Sequence, residues 1–320
     1  MQENIQVSVV IPIHNAGKWL MRCLETLSKQ TLRSMEFICV LDCPTDGSDS
    51  VVETYAQKDS RFVVIKNDRN LGVSESRNVG IRRSKGEYVG FSDHDDWREL
   101  SMYETLYKKA IETNADVVVS DTFVEYADRQ ELVVVPKNLS NEQYIDSILY
   151  PVESPKCMFK LARSVWHSIY KKAFLEDHHI IFYDRDKYLE EDTLFNLQFY
   201  TKKYTVAYVD EAFYHWNLNR VKNDNYSPTL KTYNTYTNQV NLIVGNRYKR
   251  AVEESFSLTF YRNMKKYQSE DVTTICGENV RLLSLKSLKK AFGKTNWRAQ
   301  LRNNYIYILK FIFWINKIKK

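Results

Sequence analysis

The stretch VSVVIPI, Val7 to Ile13, is a near-continuous apolar run. A strand of this kind has no polar face to show to water, so it must be covered on both sides, as strands of a parallel sheet are. The next residues respect that demand. Trp19, Leu20, Cys23, Leu24 and Leu27 recur at helical spacing behind Asn15, a candidate cap. EFICVLD is a second strand, SDSVVETYAQK a helix opening on Ser48, and RFVVIKN a third strand. VSESRNVGIRRS is the next helix, EYVGFSD a fourth strand, Met102 to Asn114 a helix and ADVVVSDTFVEY a fifth strand. Strands and helices alternating through short links predict an α/β fold, a doubly wound sheet with right-handed crossovers. Ligands of such sheets sit beyond the carboxyl ends of the strands.

Two of the strands end on acidic residues. Asp42 closes the second, and the fourth runs into Asp93, His94, Asp95 and Asp96. Three carboxylates within four residues repel one another unless a cation neutralises them. A hard divalent ion, Mn²⁺ or Mg²⁺, fits that need, since it takes one or two carboxylates together with phosphate oxygens. Between the strands lies NDRNLGVSESRNVG, in which Gly72 permits a tight loop and Arg77 is placed to reach the crevice. There it would pair with an anionic phosphate or with the carboxylates.

Charge narrows the partners. The chain carries a net +6, but eleven of its 46 Lys and Arg fall in residues 281–320, where there is no Asp or Glu. Residues 1–280 therefore hold 35 basic against 40 acidic side chains. A mildly acidic body argues against a nucleic-acid partner, while a basic tail suits an anionic membrane surface. The five cysteines show no C-x-x-C pair and read as reduced, buried thiols. The first residues lack the basic and apolar regions of a signal peptide, so the expected location is cytoplasmic.

The segments IPIHN, VLDCPTDGS, NLGVSESRNVG and GEYVGFSDHDDW, in this order over residues 5 to 100, resemble the N-terminal domain of family 2 glycosyltransferases of the bacterial surface-polysaccharide type. The resemblance implies the GT-A fold, a Rossmann-like, mostly parallel sheet flanked by helices. It assigns donor binding to Pro12, His14, Asn15, Asp42, Arg77 and Asp93, and metal binding to Asp95 with Asp93. His14 stands where the family has a stacking Tyr, and is either a stacking partner of the base or a structural histidine. Leu41, Cys43, Pro44 and His94 also depart from the pattern, which leaves the donor open. Further on, SVWHSIYKKAFLEDHHIIF, YLEEDTLFNLQFY and YVDEAFYHW resemble later segments of the family. Glu191 and Asp192 begin a helix there, and Asp192, with Glu191 beside it, is the catalytic base that the family pattern assigns. The dipole at a helix N-terminus favours its anionic form.

Residues 130 to 165 are expected to form a hairpin and an acceptor-side flap, followed by helices over Val165 to Glu176 and Tyr188 to Tyr200 and a strand at YTVAYVD. The expected organisation is a catalytic domain over 1–220, with a donor half to 126 and an acceptor half from 127, and a helical basic extension over 221–320. Within that extension YIYILKFIFWI, residues 305–315, is too short to span a bilayer. It reads either as an interfacial anchor, with 298–320 on a membrane, or as a helix docking on protein.

The function expected from these features is an inverting glycosyltransferase that moves a sugar from a nucleotide-diphosphate donor, a UDP-sugar first, to a hydroxyl of a glycan or lipid-linked glycan. Two other readings stay open. One is a metal-dependent nucleotidyltransferase, which would need no Glu-Asp helix. The other is an inactive relative serving as an assembly partner.

Overall fold

The computed structural model describes residues 4–149, 163–219 and 230–245. Strands β1 (Val7–Ile13), β2 (Met35–Leu41), β3 (Phe62–Lys66) and β4 (Tyr88–Phe91) form the first half of the sheet, ordered β3-β2-β1-β4 and parallel throughout. Every residue of β1 and β2 is buried, as a doubly covered strand requires. The covering helices are α1 (Leu20–Ser28), α2 (Ser48–Lys58) and α3 (Gly72–Arg83). Each Val, Leu or Ile removed from water here contributes about 1.5–3 kcal/mol.

Beyond β4 the sheet changes character. β5 (Trp97–Arg98) is followed by α4 (Met102–Thr113), β6 (Val117–Glu125), β7 (Gln130–Val133) and α5 (Asn141–Leu149). Then come β8 (Ser168–Lys171), α6 (Lys172–Asp177), α7 (Arg185–Tyr188), α8 (Glu191–Tyr200), β9 (Val206–Asn217) and α9 (Leu230–Val244). The sheet continues β4-β8-β6-β9-β5, with β7 on β6. β8 runs antiparallel to both β4 and β6, and β5 antiparallel to β9. The sheet is thus mixed: the parallel order expected of it holds over the first four strands and at β6-β9.

Three local expectations are corrected. The helix expected from Val165 starts only at Lys172, because Ser168–Lys171 fill the gap between β4 and β6 and pair on both sides. The helix expected from Tyr188 is broken by Leu189 and Glu190, both at positive φ (58° and 22°), and restarts at Glu191. Asn15 caps no helix: it also has positive φ, 48°, and its Oδ1 accepts from the Thr45 amide at 2.7 Å. The extension 221–320 lies outside the described residues except for 230–245, and so do the segments 298–320 and 305–315. Among the described residues no helix is long and apolar enough to cross a membrane.

Candidate active site

Helix α3 explains why S-E-S-R-N-V-G is spelled as it is. Gly72 starts the helix at φ +79°, a conformation that L side chains rarely adopt. Gly80 lets the helix lie against β1, since a Cβ there would stand 2.2 Å from Val10 Cγ1. The polar residues between them brace the site. Ser76 Oγ accepts from Asn67 Nδ2 at 3.1 Å, and Ser74 Oγ from the Arg185 amide at 3.1 Å. Asn78 bonds the backbone of Phe182 in both directions, donating at 2.8 Å and accepting at 2.9 Å. The helix therefore holds the segment that leads to α8.

Arg77 is the centre of the arrangement. It is 2% exposed, and its guanidinium donates to Asp93 Oδ1 at 2.9 Å, Asp192 Oδ1 at 2.7 Å and Glu191 Oε1 at 3.1 Å. Its Cζ lies 5.1 Å from the ring centroid of Phe182, which with Phe91 and Phe195 makes an aromatic floor. In so apolar a setting, charge-assisted hydrogen bonds are strong. Burial pulls the guanidinium pKa down, but Asp192, Asp93 and Glu191 outweigh it and leave it above its ordinary value.

One guanidinium thus joins the acidic end of β4 to the N-terminus of α8. Asp192 responds to burial more than to the helix dipole. Burial, helped by Glu191 and Asp93, pushes its carboxyl well above the usual carboxylate range, with Arg77 pulling the other way. Contrary to the expectation from the helix dipole, desolvation of the charge dominates here and disfavours the anion. The Asp192 side chain keeps 21% of its exposure.

The acidic loop itself is compact. Asp93, Asp95 and Asp96 each bring a carboxylate oxygen within 4.8 Å of the others. Asp95 and Asp96 are buried, and Asp93 is partly exposed. Burial and the neighbouring Asp95 and Asp93 raise the Asp96 carboxyl well above its ordinary value. Hard oxygen donors this close suit Mn²⁺ or Mg²⁺.

The other expected donor residues gather at the ends of β1 and β2. Asp42 is 3% exposed, and both its oxygens are engaged by the loop before α3. Oδ1 accepts from Asn67 Nδ2 and the Leu71 amide at 2.8 and 2.7 Å, and Oδ2 from the Gly72 amide at 2.9 Å. His14 is exposed, and its Nδ1 is 2.6 Å from the Asp42 carbonyl oxygen. Pro12 is buried, and its carbonyl oxygen lies 3.0 Å from His94 Nδ1. Asn15 holds Thr45 as described above. Sequence reading named these residues but missed Tyr214 and Asn217 of β9, which bond the acidic loop. No local spacing marks them, because the contact spans about 120 residues.

Residues 8–164 match the family model described as Glycosyl transferase family 2. Among curated proteins, the uncharacterized glycosyltransferase EpsJ of Bacillus subtilis is 29% identical over 230 residues, covering 70% of this chain and 65% of EpsJ. The poly(ribitol-phosphate) beta-N-acetylglucosaminyltransferase TarP of Staphylococcus aureus is 26% identical over 98% of this chain and 90% of TarP. The alignments to the first four curated relatives span 31% to 65% of those proteins' own lengths. Among solved structures, S. aureus TarS 1-349 in complex with UDP-GlcNAc superposes with a TM-score of 0.63 at 19% identity. That match covers 94% of this chain and 89% of that one, and shows the same fold.

Proposed function

The chain belongs to glycosyl transferase family 2 through residues 8–164, and we propose that it is an inverting glycosyltransferase working on a surface glycan. The donor in this reading is a nucleotide-diphosphate sugar, with a UDP-sugar first because TarS was crystallised with UDP-GlcNAc and TarP is named as an N-acetylglucosaminyltransferase. The acceptor is a hydroxyl of a glycan or lipid-linked glycan. The observation that carries the reading is the Arg77 guanidinium, which bonds Asp93 of the acidic loop and Asp192 of α8 at once. A cation-binding group and a candidate base are thereby held together across one crevice.

The roles follow from that geometry. Asp192 takes the proton of the acceptor hydroxyl as its oxygen forms a bond to the anomeric carbon. The bond from that carbon to the diphosphate oxygen breaks, and its electron pair leaves with the nucleoside diphosphate. Attack opposite the leaving group inverts the anomeric configuration. General base catalysis of this kind is worth about 10²–10⁴-fold in rate, and Arg77, bonded to Asp192, favours the anion that accepts the proton. Asp95 and Asp93 would hold Mn²⁺ or Mg²⁺, which when bound supplies positive charge for the departing diphosphate. Arg77 orients both carboxylates, and Glu191 shares its charge. The ends of β1 and β2, with Pro12, His14, Asn15 and Asp42, form the nucleoside side of the crevice. Since both Asp42 oxygens accept from the loop before α3, its part there is to shape that loop. The catalytic unit proposed is 1–220, with 221–320 as an extension.

Purified protein incubated with a panel of UDP-, GDP- and dTDP-sugars, with Mn²⁺ or with EDTA, tests the reading through release of nucleoside diphosphate. We expect metal-dependent release from one donor, lost in Asp95→Ala and Asp192→Asn. No release, together with no binding of donor or Mn²⁺ by calorimetry, would favour the assembly-partner reading instead.

A further inference from the structure

The acidic loop is fastened from a strand far along the chain. Tyr214 of β9, fully buried, places its hydroxyl between two points of the loop. It donates to Asp96 Oδ2 at 2.8 Å and accepts from the Asp93 amide at 3.1 Å. Asn217, also fully buried, adds two more bonds. Its amide donates to Asp96 Oδ1 at 2.8 Å, and its Nδ2 to the Asp95 carbonyl oxygen at 3.1 Å. Every acidic residue of the loop is therefore tied to β9, and both oxygens of Asp96 are used in the tying.

The clamp is itself rigid. The Tyr214 ring stacks on Trp166 at 4.5 Å and 17°. The neighbouring His215 is stacked between Trp97 and Phe123, at 5.3 and 4.8 Å. Its ring nitrogens lie 2.6 Å from Glu125 and 3.0 Å from Glu99. Trp97 also pairs with His215 across β5 and β9, so the residue just after the loop is held by the same strand. A tyrosine so packed cannot turn its hydroxyl away from the loop, and its bonds fix the loop's shape.

We infer that Tyr214 and Asn217 are positioning residues that set the affinity of the acidic loop for a divalent cation, and that Asp96 is their strut within the loop, not a ligand. The inference rests on the reading above, in which the loop takes such a cation. It makes Asp93 and Asp95 the two carboxylates presented to the ion. Partners that orient ligands from behind are worth about 10–100-fold in metal affinity.

The test is an Mn²⁺ titration of the full chain, in which the electron paramagnetic resonance signal of free Mn²⁺ reports binding. Asp95→Asn should abolish binding. Tyr214→Phe should weaken it by about tenfold or more, and Asn217→Ala should weaken it in the same direction by less. Asp96→Asn keeps an oxygen for one of the two donors, so it should lose no more than Tyr214→Phe. Wild-type affinity in both Tyr214→Phe and Asn217→Ala would overturn the inference, whatever their melting temperatures, because a purely structural role would lower stability and leave Mn²⁺ affinity alone. Loss in Asp96→Asn as complete as in Asp95→Asn would make Asp96 a ligand and overturn the strut. If Tyr214→Phe does not fold, Asn217→Ala decides. A wild-type chain that binds no Mn²⁺ would overturn the metal reading itself and this inference with it, a result distinct from the others.

Discussion

Two buried arginines flank the acidic loop, and they are solvated in opposite ways. Arg77 is 2% exposed and bonded to three carboxylates. Arg98 is 1% exposed and bonded to neutral groups. Its donors reach the Cys23 carbonyl oxygen at 3.2 Å, Ser92 Oγ at 2.5 Å and the Asp96 carbonyl oxygen at 3.5 Å. Dipoles suffice to hold a guanidinium as part of a scaffold, and Arg98 ties α1 to the strand end that carries the loop. Three carboxylates on one guanidinium are more than its charge can balance. With Asp95 and Asp96 close by, the crevice on the Arg77 side keeps an excess of negative charge that a divalent cation would offset. The contrast separates a charge that supports the fold from a charge that prepares a site.

The largest expected effect lies on the Arg77 side. Asp192→Asn preserves the shape of the side chain and its acceptor for Arg77, but removes the base. Turnover in the donor assay should fall about 10²–10⁴-fold with little change in thermal midpoint. Retained turnover in Asp192→Asn, with loss in Glu191→Gln, would transfer the role of base to Glu191. The contrast between the arginines is sharpened by stability. Arg77→Met removes the guanidinium that bonds three carboxylates and leaves Glu191 with Arg185 at 3.9 Å, and unfolding free energy from urea titration should drop by about 3–5 kcal/mol. Arg98→Met strands neutral acceptors only, and should cost about 1–3 kcal/mol. Equal losses would show that the two charges are solvated alike.

The unequal legibility of the two halves has a physical cause. The parallel half is written in local pattern: continuous apolar strands, helices at 3.6-residue spacing, and acidic residues at the ends of β2 and β4. Those features place Asp42, Asp93 and Asp95 without any knowledge of distant contacts. The second half is assembled by pairing across the chain. Ser168–Lys171 become a strand only because β4 and β6 leave room between them, and Trp97–Arg98 only because β9 comes alongside. Arg77 and Asp192 are 115 residues apart, so the bond that unites the site has no signature in spacing. Family resemblance supplied the pairing of roles and the sequence already turned Arg77 toward the carboxylates, but its bond to Asp192 emerges only in the fold. Tyr214 and Asn217 were invisible for the same reason as β5. Their function lies in what they touch.

The finest test of the two arginines uses pH. Burial lifts the Asp192 carboxyl well above its ordinary value, and Arg77 restrains the lift. A carboxyl whose folded pKa exceeds its unfolded one favours the folded state when protonated, and that support fades as pH rises through the folded value. Removing Arg77 raises the carboxyl further, so the loss of support deepens. The stability gap between wild type and Arg77→Met should therefore widen as pH rises above the ordinary carboxylate range and narrow on acidification. Each further unit of pKa shift is worth about 1.4 kcal/mol, which thermal denaturation across that rise resolves. The gap between wild type and Arg98→Met should stay flat. Its partners are carbonyl and hydroxyl oxygens and the Cys23 sulfur, and burial pushes that thiol up, away from this window. A gap that varied with pH for both variants would mean that Arg98 also answers to the loop carboxylates, and would dissolve the division between scaffold and site. A flat gap for Arg77→Met would mean that its three carboxylates had already found other neutralising partners, and that the guanidinium serves geometry alone.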